Sequence, residues 1–287
     1  MSYAHALARI GPLAATQAAH RSNGEICDIR QIGPRGLRKA SGLCCAGFDT
    51  LPWGQRLMRI ASYNIRKAVG LDWRRDPQRV LHVLTEMDAD VVVLQEADKR
   101  IGRRGGVLPE GALADIGYAI ADLSVRPDSH GWHGNAVLYR QAAVQVDATG
   151  RIDLPALEPR GAVSVRLQQR GIEVIGVHLG LTRRNRSAQL HALGRYLHDV
   201  SHPVLIAGDF NAWRREAGIE SALGGNCEVI MPGNSFHATR ELAPLDRFVL
   251  RGGLGHTSAR VHKSALASRA SDHLPILIDL DFPEADR

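Results

Sequence analysis

Cysteine is scarce in this chain. Of 287 residues four are cysteine, with Cys27, Cys44 and Cys45 inside the first 57 and only Cys227 beyond them. No Cys/His spacing matches a zinc site and no pairing pattern suggests a disulfide framework, so a reducing, cytoplasmic compartment is expected. Aromatic residues are also few, at 5%. No aromatic-rich basic stripe of the kind that stacks single-stranded nucleic acid is visible. No apolar run approaches the roughly 20 residues that cross a bilayer. The start lacks a charged segment leading into a long apolar one, so no signal peptide is read there. There is no Gly-x-x-x-x-Gly-Lys loop for a nucleotide and no Gly-x-Ser-x-Gly elbow for a serine hydrolase. No internal repeat of helix-pair or propeller period is present.

Charge is close to balanced once its distribution is considered. The net charge is +6. Residues 1–57 hold seven Lys/Arg against three acids, a balance of +4, which leaves +2 for the rest. Such a domain can bind phosphate through a local patch, but its net charge does not argue for nucleic acid. Residues 1–57 are rich in Ala, Gly, Arg and Ser and keep no period of 2 or 3.6. They are expected to be a disordered or non-native extension. Met58-Arg-Ile-Ala-Ser-Tyr-Asn64 reads as the first strand of a functional domain over 58–287, expected to be a monomer.

Within that domain the centre of the argument is Val204-Leu-Ile-Ala-Gly-Asp-Phe-Asn211. A short apolar run reads as a buried strand, and Gly208 is expected to end it in a close turn. Asp209 and Asn211, spaced i, i+2, share a face if strand geometry persists, or else form an Asp-Phe-Asn turn. The same design recurs. Ala89–Glu96 is an apolar run ending in a carboxylate, and the run at 172–178 ends in a histidine. Asp246 opens the apolar run to Leu250, and Asp272-His273 precedes the last one. A helix is expected from Asp76-Pro77, capped by the aspartate, with Val80, Leu81, Leu84 and Met87 on its apolar face. Another is expected over 186–200, where Arg186 and Gln189 serve its first turn or the surface, or contact substrate. Shorter helices are expected near 109–117 and 213–223. Strands are expected near 118–123, 132–139, 142–149, 162–168, 172–178, 226–231, 254–261 and 273–281, with a hairpin turn at 168–171. Strands in this number, some hairpin-linked and some followed by helices, suggest two mainly β-sheets packed face to face with helices outside.

The polar groups at strand ends suggest a chemistry. Carboxylate and amide oxygens without thiolates suit Mg²⁺, or Mn²⁺, and not structural zinc. The inventory fits metal-assisted hydrolysis of a phosphate ester. A carboxylate can activate water as general base, and histidines can donate hydrogen bonds to phosphate oxygens whose charge must be stabilised.

Ala61-Ser-Tyr-Asn64, Val93-Leu-Gln-Glu96, Gly134-Asn-Ala-Val-Leu138, Val177-His-Leu179, Gly208-Asp-Phe-Asn211, Leu245-Asp246 and Ser271-Asp-His273 occur in an order that resembles the endonuclease/exonuclease/phosphatase superfamily. The resemblance spans almost all of 58–287. It implies an α/β fold, a four-layer sandwich of two mainly antiparallel sheets with helices outside and the site at one end. It also implies roles. Asn64 and Glu96 match metal-site positions, with Asp272 a further metal-associated acid. Asp209 matches the acid that aligns or deprotonates the attacking water, and Asn211 its phosphate-contacting neighbour. His273 matches the histidine on the scissile phosphate, and Asp246 the acid that orients it. His178 matches a second histidine, found in deoxyribonuclease-like and sphingomyelinase-like members, that protonates the leaving group. Asn135 and Arg160 match further phosphate contacts less closely.

The substrate is less defined. The superfamily includes apurinic endonucleases, nonspecific deoxyribonucleases, sphingomyelin phosphodiesterases and inositol-polyphosphate phosphatases, which differ in surface loops. DNA is placed narrowly ahead of a lipid headgroup as the phosphodiester, and basic loops at 99–104 and 183–186 offer its backbone a grip. They also suit a solvated surface. A phosphomonoesterase for a small phosphate ester and a non-catalytic binding protein are the alternatives. Residues 58–287 are compact and leave little room for long membrane-docking or DNA-wrapping insertions.

Overall fold

The computed structural model describes residues 57–99, 102, 105–155, 160–168, 171–213 and 218–281. The extension expected at 1–57, apart from Leu57, lies outside these residues. So do Arg100, Arg103 and Arg104 of the basic loop, residues 169–170 of the expected hairpin turn, and residues 214–217 of the helix expected over 213–223.

In chain order the elements are β1 (Met58–Asn64), α1 (Pro77–Met87), β2 (Val91–Gln95), α2 (Glu110–Asp115), β3 (Tyr118–Ile120), β4 (Ala136–Arg140), β5 (Val146–Leu154) and β6 (Arg160–Leu167). They continue with β7 (Glu173–His178), α3 (Arg183–His198), β8 (Val204–Asp209), α4 (Ile219–Ala222), β9 (Cys227–Ile230), β10 (Asp246–Arg251), β11 (Gly255–Val261), α5 (Ala267–Ala270) and β12 (Ile276–Asp281). The strands form two six-stranded sheets, ordered β11-β12-β1-β2-β4-β3 and β5-β6-β7-β8-β10-β9. Only β1–β2 and β7–β8 pair in parallel. The mainly antiparallel pairing expected from the sequence holds.

The apolar runs bury both faces, and alternation sorts them into layers. Ile60, Val91 and Val93 point inward and meet Val174, Leu205, Ala207 and Phe248 of the other sheet. Their neighbours Ala61, Val92 and Leu94 point outward and pack with Val80, Leu84 and Met87 of α1. On the far side Ile175, Val177 and Ile206 pack with Leu190, Leu193 and Leu197 of α3. Four layers result. Asp76 caps α1 as the sequence suggests, accepting from the backbone N–H groups of Gln78 and Arg79, with Pro77 in the first position. A cap of this kind is worth about 1 kcal/mol.

Two expectations need correction. Gly208 does not end its strand in a turn. It lies within β8, where a Cβ would sit 2.0 Å from the Val177 carbonyl oxygen. Glycine is there so that β8 can run close beside β7. The strand expected at 142–149 forms later, as β5, because its face is mostly exposed and leaves little alternation to read.

Candidate active site

Strand direction gathers the polar groups. The parallel pair β1–β2 ends at Asn64 and Gln95, with Glu96 next, and the parallel pair β7–β8 ends with His178 opposite Asp209. The antiparallel strands beside them begin at the same end, β10 at Asp246 and β12 just after Asp272-His273.

Asp209 is buried among these groups. Its Oδ2 accepts from Asn64 Nδ2 at 3.2 Å, and His178 Nε2 and His273 Nε2 face the same oxygen at 3.5 and 3.7 Å. Burial pushes the Asp209 pKa up, against the opposing pull of the two histidines. Burial also drives His178 down to about 4, although the Asp209 carboxylate resists. His273 goes the other way. Burial disfavours its charge, but Asp246 and Asp209 outweigh burial and raise it to about 10. Its Nδ1 lies 2.8 Å from Asp246 Oδ2, which also accepts from Ser235 Oγ at 2.5 Å. The Phe236 ring stands 5.0 Å from the His273 ring.

Asn211 does not share a strand face with Asp209. The strand stops at Asp209, and Asn211 takes a left-handed φ of 51°. Its backbone N–H donates to Asp209 Oδ1 at 2.8 Å and its amide to the Leu179 carbonyl at 2.9 Å. The alternative Asp-Phe-Asn turn is the one that forms, and it ties the loops after β7 and β8 together. Arg186 and Gln189 are also internal and off the surface. Arg186 Nη1 donates to the Leu181 carbonyl at 2.7 Å, and Gln189 Oε1 accepts from Gly180 N–H at 2.8 Å. Both brace the loop after His178.

The first sheet brings its own acids together with its own cations. Glu96 pairs with Lys67, and Asp272 Oδ2 lies 3.4 Å from Arg66 Nε. Ser271 Oγ donates to the Asn64 carbonyl at 2.7 Å, which holds Asp272 beside Asn64. Arg66 and Lys67 both take left-handed φ values, and the sequence assigned neither a role. Asn135 is buried, with its amide donating to the Gly161 carbonyl at 2.8 Å. Arg160 donates to the His178 carbonyl at 3.1 Å. A cavity of about 360 Å³ opens between Glu96 and His178, lined also by Lys67, Lys99, Arg126 and Arg160.

Glu96, Asp272 and Asn64 offer hard oxygens at one strand end, and both carboxylates already draw a cation of the chain. That donor set fits a divalent cation such as Mg²⁺. Asp209, Asp246 and His273 also present ligand atoms within 4.8 Å of one another. There, however, Asp246 is engaged by His273 and Ser235, and the charged imidazolium repels a metal.

The sequence profile of the Endonuclease/Exonuclease/phosphatase family matches residues 61–273. The chain belongs to this family. It is 29% identical over 179 residues to the uncharacterized protein YbhP of Escherichia coli K12, covering 57% of this chain and 68% of that one. Its fold is similar to Danio rerio TDP2 complexed with a single-strand DNA product, with a TM-score of 0.60 and 16% identity over 79% of this chain and 99% of that one. It is also similar to the Bacteroides thetaiotaomicron mannosyl-6-phosphatase Bt3783, with a TM-score of 0.56 and 18% identity over 78% of this chain and all of the other.

Proposed function

We propose that this family member hydrolyses phosphodiester bonds with a divalent cation, by attack of water on phosphorus. The observation that carries the reading is the buried Asp209 carboxylate faced by Asn64, His178 and His273 within 3.2–3.7 Å. Glu96 and Asp272, with Asn64, would hold Mg²⁺ or Mn²⁺. When bound, such an ion polarises the phosphoryl group and neutralises charge on it.

The chain's own residues do the rest. Asp209, with a pKa raised by burial, takes the proton of the attacking water better than an ordinary carboxylate does. His273, charged and held by Asp246, which Ser235 fixes in turn, donates through Nε2 to a nonbridging oxygen. His178 is neutral at rest, and an anionic phosphate beside it opposes the effect of burial and draws a proton to the ring. That proton can then go to the leaving oxygen. Asn211 holds the loop on which His178 ends, and Arg160 stands at the cavity mouth for phosphate.

Among diesters, DNA stood narrowly ahead of a lipid headgroup in the sequence and TDP2 lends it an analogy of fold; the loops around the site decide between the two. The cationic cavity, sized for a small molecule, favours the phosphomonoesterase as second reading. Both start from one experiment. Hydrolysis of bis(p-nitrophenyl) phosphate should need Mg²⁺, stop with EDTA, and vanish in Glu96→Ala and Asp209→Ala proteins with unchanged circular dichroism. Retained turnover in both variants sinks the mechanism. Turnover of the monoester alone, releasing inorganic phosphate, selects the second reading.

A further inference from the structure

The exposed apolar side chains are not scattered. Among the described residues the large exposed hydrophobics are Leu57, Trp73, Val125, Leu181, Trp213 and Leu242. Leu57 precedes β1, at the end away from the site. The other five are 58–78% exposed, and all five lie on loops at the catalytic end. Trp73 follows β1, Val125 lies between β3 and β4, Leu181 follows β7, Trp213 follows β8, and Leu242 precedes β10. Each belongs to a loop that starts or finishes at a strand end carrying a site residue or beside one.

Three of the five sit on loops held by contacts to neighbouring residues. Arg186 grips the Leu181 carbonyl and Gln189 holds Gly180 N–H. Ala243, next to Leu242, pairs with Phe236. The Trp73 ring lies 4.5 Å from the Arg66 guanidinium, which in turn reaches Asp272. Four of the five also have a described arginine within two positions in sequence: Arg74, Arg126, Arg183 and Arg240. Alternation of a bare apolar group with arginine around one mouth matches the two demands of a membrane interface, an apolar surface to bury and anionic headgroups to pair. Tryptophan and arginine alone would also suit nucleic acid. Leucine and valine offer bases nothing to stack on, but they enter lipid readily.

We propose that the catalytic end docks on an anionic phospholipid bilayer, with these five side chains entering the headgroup–acyl boundary. Resting on the phosphodiesterase reading, the substrate is then the headgroup phosphodiester of a phospholipid. No long insertion is needed, because short loops already carry the apolar groups.

The full chain should co-sediment with phosphatidylcholine vesicles containing phosphatidylglycerol and not with phosphatidylcholine alone. Salt should weaken the binding, and tryptophan emission should shift to the blue on binding. The double variant Leu181→Ser, Leu242→Ser should bind about tenfold or more weakly at an unchanged melting temperature. Leu57→Ser, the same chemistry at the other end, should bind as the parent does. Absence of vesicle binding overturns the proposal. So does a double variant that loses single-stranded oligonucleotide binding and keeps vesicle binding. Asp209→Asn separates the two readings: it should bind vesicles as the parent does and release no headgroup. Undiminished headgroup release by that variant overturns the catalytic reading while the docking surface stands.

Discussion

The two sheets are built alike at the site and equipped differently. Each centres on a parallel pair flanked by antiparallel strands, β12-β1-β2-β4 in one and β10-β8-β7-β6 in the other. Asn64 ends β1 where Asp209 ends β8, and the two side chains meet across the interface. The first sheet carries Glu96 and Asp272, about a fifth to a quarter exposed and paired with Lys67 and Arg66. The second carries Asp209 and Asp246, 2% and 1% exposed, and His178, 12% exposed beside the cavity. A partly open pair of acids held by cations of the chain can exchange those cations for a metal. A sealed set is already wired, with its protons placed by burial. On the proposed mechanism, the difference would give cation binding to one sheet and proton handling to the other.

The sharpest way to break that division is Asp209→Asn. The change leaves the shape and removes the base, so kcat for a diester should fall about 10³-fold. Raising Mg²⁺ should not restore it. Because burial disfavours the charged carboxylate, the melting temperature should not fall. Recovery with added metal would move Asp209 to the cation side.

Glu96→Gln tests the other half. Mg²⁺ affinity, read by calorimetry, should weaken about 100-fold, and activity should return in part at high Mg²⁺. The opposite pattern, lost activity at unchanged Mg²⁺ affinity, would refute the assignment of the first sheet.

The sealed half should also leave a mark on acid stability. The native pKa of His178 is depressed to about 4 from its usual 6.5. The unfolded chain therefore takes up a proton near pH 6.5 that the native chain refuses until about 4. Stability is whole above pH 6.5 and is lost as pH falls from 6.5 to 4, by on the order of 2–3 kcal/mol. His178→Gln should flatten that part of the melting-temperature profile, whereas Glu96→Gln should leave it in place.

The same contrast explains what the sequence could and could not disclose. β2 and β8 were legible because a strand buried on both faces is a plain apolar run, and its terminal acid stands out against it. Asp76-Pro77 announced α1 for an equally local reason. Asn211 was harder, since a left-handed residue after Asp209 leaves no mark on composition. Ser235 gave no signal, because its meaning depends on Asp246, eleven residues on and across a loop. Lys67 finds Glu96 from 29 residues away, through a turn whose left-handed residues are not glycine. Groups at the ends of regular elements are visible in sequence, and groups brought in by irregular turns are not.

Lys67 is therefore the finest probe of the division, with the smallest expected effect. Its ammonium sits on Glu96, so a cation that binds there must displace it. Lys67→Met removes the competitor and its positive charge while keeping the aliphatic stem. Mg²⁺ should then bind a few-fold more tightly, since an ion pair still in reach of water is worth about 0.2–1 kcal/mol. Diester KM should rise in the same protein, because Lys67 also lines the cationic cavity. Tighter metal with weaker substrate would show that one side chain guards the cation site and serves the anion beside it. Unchanged Mg²⁺ affinity would mean that the lysine and the metal do not compete, and that the cradle at Glu96 is drawn in the wrong place.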